Sequence, residues 1–499
     1  MRRRAGLTEP EAISVLRVVA AIGAALFVAY TAADPDLWGH VRFGEDILRH
    51  GAIASHDPYS FTSDRTWVNH EWLAEVLMGL AYRAGGAIGL VVLKAALVVG
   101  ALVLVSKALR RVAWSPIDHD LLVALAILAT LTRAHLMRPQ AFSVLLFAAL
   151  LFALTAADRG NRRPLIVVPV VMLAWANLHG GWIVGLLVVS IWAFVRFVRR
   201  GDGAIERRWL ALLWIGCVAA TLVNPYGVGL WTFLRDTVGL SRPGIADWAP
   251  LFELPVLVIV PVAAMAATAL VALAKARRGV DPAYVLIVVA LGVLTVRVGR
   301  IDAFFGLAVI MLLGPYLGRA RAAAWHVPAS AGPALWRRPV AIAIVAVAVL
   351  ALGGGAGAKV SCLEVIGEPE PETVAFLQRH APAARVLTYF DWGEYAIWHL
   401  GPRLKVSMDG RRETVYSDAL FQAHARLYRD EPGATALVAR LHPDLIWLPV
   451  GLPVVRRLER AGWTPVFRGS ISVILDHHPG AAPARTRPGK PPKRCFPDA

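Results

Sequence analysis

Asp34, Asp36 and His40 are the first residues whose types and spacing could do chemistry. Two carboxylates stand two residues apart in Asp34-Pro35-Asp36, and His40 follows one helical turn later. Such a pair can hold a divalent cation (Mg or Mn) or supply one general base. Helix capping also accounts for Asp34, since Pro35 fits the first helical position and Asp36 the first turn. Asp36 has no equally cheap structural role, so it is the preferred base. His40 shares its helical face and can tune or orient it. Further on, Asn69-His70-Glu71-Trp72 reads as a helix start, with Asn69 as cap and Trp72 as an interfacial ring. Its functional reading turns His70 and Glu71 toward the same cavity as Asp36.

These residues share one polar connection, 33–86, set between two apolar runs. A connection of this length is rarely mere linkage. Leu37, Val41, Gly44 and Leu48 recur at helical spacing, and Gly51 ends the run. Leu73, Val76, Leu77 and Leu80 form a second stripe that closes at Gly85-Gly86. The stretch Ser55 to Ser63, with Asp57-Pro58 inside, reads as extended. The pattern predicts two short amphipathic helices lying on a membrane surface.

The membrane follows from composition. The 499 residues are 57% hydrophobic with mean hydropathy +0.56, concentrated in long apolar runs. That defines a polytopic membrane protein. Eleven spans are expected, at about 13–32, 87–106, 119–134, 140–157, 164–177, 181–198, 209–223, 255–274, 282–297, 303–318 and 339–357. The net charge of +17 does not mark a nucleic-acid binder. Its Arg and Lys cluster in alternate short connections, beginning with Arg2–Arg4, as cytoplasmic orientation signals do. The N-terminus is then cytoplasmic, and the 33–86 loop lies outside. No cleavable signal peptide is expected, because an ordered loop follows the first apolar run. Cys217, Cys362 and Cys495 lie far apart and predict neither a disulfide framework nor a metal site.

On this topology nearly every polar, Gly-rich or Trp-rich signature falls on the outer face. Arg138, His179, Arg297 and Arg300 stand at outer span ends, where Arg can grip a lipid phosphate or snorkel and pair with loop carboxylates. His179-Gly180-Gly181 and Asn224-Pro225-Tyr226-Gly227 allow a ligand close to the backbone, or serve helix packing. From Lys359 the composition changes to short strands and helices. This is a small external α/β domain, 359–478, followed by a basic disordered tail, 479–499. Two motifs fall at strand ends, where α/β sheets bind ligands. One is Asp391-Trp392-Gly393-Glu394-Tyr395; the other is Asp409-Gly410-Arg411. Both suit a sugar site, or else a structural ion-pair network.

The whole pattern resembles bacterial polytopic glycosyltransferases of the GT-C class, which use polyprenyl-phosphate-linked sugars. It has a more distant likeness to oligosaccharyltransferases and to aminoarabinose and mannosyl transferases. In that class the first external loop carries an essential Asp and two juxtamembrane helices, matching Asp34-Pro35-Asp36 and its flanks. Asp391-Trp392-Gly393-Glu394-Tyr395 is similar in content to the Trp-Trp-Asp-Tyr-Gly signature of oligosaccharyltransferases, but its order differs. The resemblance implies inverting transfer from a polyprenyl-phosphate sugar to an envelope acceptor at the outer face of a bacterial inner membrane. Asp36 would be the base. A carrier or flippase for lipid-linked glycans, and a scaffold with an external binding domain, are the alternatives. A carrier requires polar residues through the mid-membrane, whereas this sequence concentrates them at one face.

Overall fold

The computed structural model describes residues 31–110, 116–134, 136–199, 205–240, 248–276, 279–321, 362–478, 484–485 and 494–498. The spans expected at 13–32 and 339–357 fall outside these residues, apart from 31 and 32. The protein is mainly helical. Four helices are long and apolar enough to cross a membrane, within Trp72–Leu109, Gln140–Asp158, Val256–Ala276 and Gly299–Leu317. Shorter apolar helices occupy His119–Thr130, Arg163–Leu178, Trp182–Val198 and Pro282–Arg297. Their inner faces meet in one core that includes Phe147, Trp175, Trp182, Trp192 and Phe304. Their outer faces leave Val170, Phe194, Leu257 and Leu270 exposed, as a surface solvated by lipid requires. A helix that the apolar pattern does not predict, Gly229–Val238, follows the Asn224–Gly227 turn.

The loop helices form as their periodicity predicts, with one shift. The first runs Leu37–His50, buries Leu37, Trp38, Val41 and Phe43, and ends at Gly51 in left-handed backbone. Its start is two residues later than capping by Asp34 implies, because Asp36 holds the N-cap position and makes no side-chain cap bond. Asp34 instead accepts the Asp36 N–H at 3.0 Å, which fixes the turn before the helix. The second starts at Trp72, after Asn69 Oδ1 accepts the Glu71 N–H at 3.3 Å. It breaks at Gly85-Gly86, where Gly86 has φ +57, before the chain enters the membrane run. The two helices cross at Gly44, where a Cβ would lie 1.9 Å from the Glu75 carbonyl oxygen. Only a glycine permits that approach.

Residues 362–478, together with 484–485, build a six-stranded sheet of β3 (Arg385–Thr388), β4 (Lys405–Val406), β5 (Leu445–Pro449), β6 (Thr464–Arg468), β7 (Ser472–Asp476) and β8 (Ala484–Arg485). The order is β4-β3-β5-β7-β6-β8. β4, β3 and β5 run parallel, and β7 is antiparallel to both neighbours. The sequence reads as short strands at 385–390, 404–408, 445–448, 466–468 and 471–475, where β3 to β7 occur. The exposed edge of β4 is covered by the first loop, with Phe61 N–H on Val406 O and Val406 N–H on Tyr59 O. Covering an edge strand in this way removes an aggregation site and fixes the loop.

Two further ties were not legible in the sequence. β1 (Ala32–Ala33) pairs in parallel with β2 (Glu364–Val365), so the residues just before Asp34 are held by those that open the C-terminal unit. Cys362 and Cys495 form a disulfide, contrary to the expectation of none. Residues 494–498 are accordingly ordered rather than part of a disordered tail. Arg494 donates to the Glu368 and Pro369 carbonyls at 2.9 and 2.6 Å. Phe496 packs edge-on against Trp38, at 5.3 Å between centroids, and against Tyr82.

Candidate active site

A cavity of about 750 Å³ opens where the first loop, the helix bundle and the C-terminal unit meet. It has two unlike halves. The polar half presents Asp36, His40, His70, Glu71, Arg138, His179 and Arg300, together with Asp391 and Glu394 from the C-terminal unit. The apolar half is walled by Ile183, Leu187, Phe233, Leu234, Val238 and Leu294. Most of that wall comes from the Trp182–Val198 and Gly229–Val238 helices. A site of this shape accepts a ligand with a polar head and a long apolar body.

Asp34 and Asp36 take different positions. Asp34 is 3% exposed, sits behind the cavity wall and bonds to the Arg138 guanidinium. Burial, opposed by Arg138, raises its pKa to about 6. Asp36 keeps 30% of its side chain accessible, with its Oδ2 3.3 Å from Arg138 Nη2. One guanidinium therefore bridges both carboxylates and orients Asp36 into the cavity. This bears on the divalent cation, since Arg138 fills the place between the carboxylates where an ion would sit. Among the described residues, no three His, Cys, Asp or Glu converge as metal ligands. The residues present do not fit a cation held by Asp34 and Asp36.

His40 Nδ1 lies 3.3 Å from Glu75 Oε1. Burial would lower its pKa, but Glu75, Glu71 and Asp36 outweigh it and raise the ring to about 9. His40 is thus a cation beside Asp36 at neutral pH. Glu75 also accepts from Asn69 Nδ2 at 2.5 Å. Glu75 stands one turn after Glu71 on the same helix face, the spacing signal that could have found it. Burial opposes ionisation of Glu71, yet His70, His179, His40 and Arg300 hold its pKa below the ordinary value. His179 accepts the Gly181 N–H on Nδ1 at 3.0 Å, which leaves the neutral ring's proton on Nε2, 3.5 Å from Glu71. Burial pushes His179 down to about 3, so it stays neutral. Arg300 stacks on Trp248, 4.6 Å from the ring centroid, and faces the junction of the two halves.

Other singled-out residues lie elsewhere. Arg297 ends its helix on the exposed side, outside the cavity. Val298 then turns extended, and this change of direction aims Arg300 inward instead. Trp392 and Tyr395 are buried behind the wall. Trp392 Nε1 donates to Gly367 O at 3.0 Å, and Tyr395 meets Trp38 edge-on. Asp409 is fully buried, accepting from Arg411 Nη2 at 2.7 Å and from Tyr416 at 2.6 Å. Arg411 also makes two bonds to Asp57, at 2.7 and 3.0 Å, between the rings of Phe43 and Trp67. This is the ion-pair network rather than an open sugar site, and it fastens the first loop to the C-terminal unit.

No family model matches this sequence, and no curated protein matches it either. Solved structures match over nearly the whole chain. The Archaeoglobus fulgidus oligosaccharyltransferase superposes with TM-score 0.61 at 12% identity, covering 94% of this chain and 75% of that one. ArnT from Cupriavidus metallidurans superposes with TM-score 0.52 at 14% identity, covering 94% and 99%. The arabinofuranosyltransferase AftD from Mycobacteria does so with TM-score 0.51 at 15% identity, covering 95% and 40%. The oligosaccharyltransferase has been solved with an inhibitory peptide and a dolichol-phosphate and with zinc and sulfate, and ArnT with undecaprenyl phosphate. The fold is the GT-C fold of membrane glycosyltransferases.

Proposed function

We propose that this protein is a GT-C glycosyltransferase moving a sugar from a polyprenyl-phosphate donor to a hydroxyl acceptor. The observation that carries the reading is the divided cavity. Asp36 stands among its polar lining residues, and Ile183, Leu187, Phe233, Leu234, Val238 and Leu294 give the same cavity an apolar lining. The donor's prenyl chain lies along Phe233, Leu234 and Leu294, and its phosphate meets Arg300 and His70. Charge-assisted contacts to that phosphate strengthen as it departs.

The chemistry is an inverting displacement. Asp36 takes the proton from the acceptor hydroxyl, and that oxygen bonds to the anomeric carbon. The bond from that carbon to the phosphate oxygen breaks, and the phosphate keeps the electron pair. Arg138, expected from the sequence as a phosphate ligand, is assigned to hold Asp36 in place. His40 is a positioning cation, and His179 keeps Glu71 fixed. No step needs a cation between Asp34 and Asp36.

The membrane is the bacterial inner membrane, with the N-terminus cytoplasmic and the C-terminal unit outside. The Cys362–Cys495 disulfide supports that side, since such bonds persist in oxidising compartments. The test uses the full chain in lipid with radiolabelled polyprenyl-phosphate sugars, comparing wild type with Asp36→Asn. Release of label by wild type, reduced at least about 1000-fold in the variant, supports the reading. Equal release by both sinks Asp36 as the base.

A further inference from the structure

Glu394 is a buried group of the cavity that the mechanism above leaves unused. It stands in the first turn of the Gly393–Leu400 helix, is 3% exposed and lines the polar half of the cavity. Its Oε2 is buried and has no hydrogen-bond partner among the described residues. A carboxyl oxygen withheld from water and left unpaired is costly, so native proteins rarely keep one idle.

The carboxyl is seated in a slot made by two absent side chains. A Cβ on Gly39, in the first loop helix, would fall 2.0 Å from Glu394 Oε2. A Cβ on Gly410 would fall 2.9 Å from Glu394 Oε1 and 2.3 Å from Asp36 Oδ1. Asp36 and Glu394 therefore address the same point from opposite sides of the junction, one from the loop and one from the C-terminal unit. Gly393 permits the approach from behind, where a Cβ would meet the Met408 carbonyl oxygen at 2.2 Å. Arg411 offsets the burial of Glu394 only in part, because Asp57 and Asp409 hold its guanidinium. Burial, with Asp36, Asp409 and Glu75 nearby, keeps the Glu394 pKa well above the ordinary carboxylate value.

We infer that Glu394 is a substrate-binding residue of the reacting centre, its Oε1 edge receiving a hydroxyl of the transferred sugar or of the acceptor beside Asp36. This rests on the glycosyl-transfer reading. It makes the C-terminal unit part of the active site, because the hydroxyl is clamped between a carboxyl from each half. A carboxyl in either protonation state can pair with a hydroxyl, as donor or as acceptor.

The test is Glu394→Leu and Glu394→Gln in the full chain in lipid, with polyprenyl phosphates carrying radiolabelled arabinofuranose or a hexose. Leucine removes the polar group at similar volume, so the thermal midpoint of unfolding should stay level or rise. Sugar-free undecaprenyl phosphate should bind Glu394→Leu as it binds wild type. Transfer kcat/KM should fall about 10- to 100-fold in Glu394→Leu, with partial recovery in Glu394→Gln. If the hydroxyl is the sugar's, release of label to water falls in parallel. If it is the acceptor's, release to water is kept and only transfer falls. Unchanged kcat/KM overturns the assignment alone, as does a loss of rate matched by a lowered midpoint. No release by wild type from any donor overturns the transfer reading and this assignment with it.

Discussion

His40 is where charge at the site can be read most directly. Its ring is raised to about 9 from an ordinary 6.5 by Glu75 and its neighbours. The folded state therefore binds the proton more tightly than the unfolded chain. That stabilisation is fully present below pH 6.5 and is lost as pH rises through about 9. The shift corresponds to about 3 kcal/mol. The thermal midpoint of wild type should fall between pH 7 and 9.5, and His40→Gln should flatten that part of the curve. An identical slope in the variant would refute the assignment. That Asp36 and His40 share a face was legible from their spacing of four, whereas the partner of His40, Glu75, was not. The bridge from Arg138 to Asp34 and Asp36 was not, since it joins residues remote in sequence. Arg297 and Arg300 look equivalent in sequence, and only the break at Val298 separates them.

The loop helices were legible as elements because glycine ends both, at Gly51 and at Gly85-Gly86. The Gly229–Val238 helix was not, because ten residues after a turn give a stripe too short to tell from connection. Yet it supplies much of the apolar wall of the cavity. The clamp between the loop and the C-terminal unit centres on Arg411. Arg411→Met strands two buried carboxylates, Asp57 and Asp409, and should destabilise the protein by about 3–5 kcal/mol. Replacing all three residues with apolar ones of similar volume should restore most of that loss. Thermal unfolding of the full chain measures both. If Arg411→Met unfolds like wild type, the network is incidental and Arg411 returns as a candidate ligand.

Taken whole, the fold places its chemistry at a seam. The helix bundle offers the apolar lining of the cavity, the first loop offers Asp36, and the C-terminal unit adds Asp391 and Glu394. Composition alone announces the membrane region, and short apolar runs between turns announce the sheet. The seam itself is invisible in sequence, because its contacts are long-range. The disulfide shows the limit most clearly, as spacing among three cysteines says nothing about which two meet. Replacing both Cys362 and Cys495 with serine should lower the thermal midpoint, by about 2–4 kcal/mol in unfolding free energy. Transfer should weaken with it, since Arg494 and Phe496 lose their anchor. Variants as stable and active as wild type would show that the tail holds by packing alone.

The pairing of β1 with β2 has a consequence for the order of assembly. Asp36 follows β1 by three residues, yet β1 gains its partner only when Glu364 and Val365 have been made and delivered. During synthesis the loop meets this partner only after the described helices between residues 72 and 321 have been made. The nascent protein therefore passes through a long interval with its helices inserted and its reacting centre unassembled. Under the proposed function, such a protein is silent until it is finished, and does no chemistry on the lipids around it while still emerging from the ribosome.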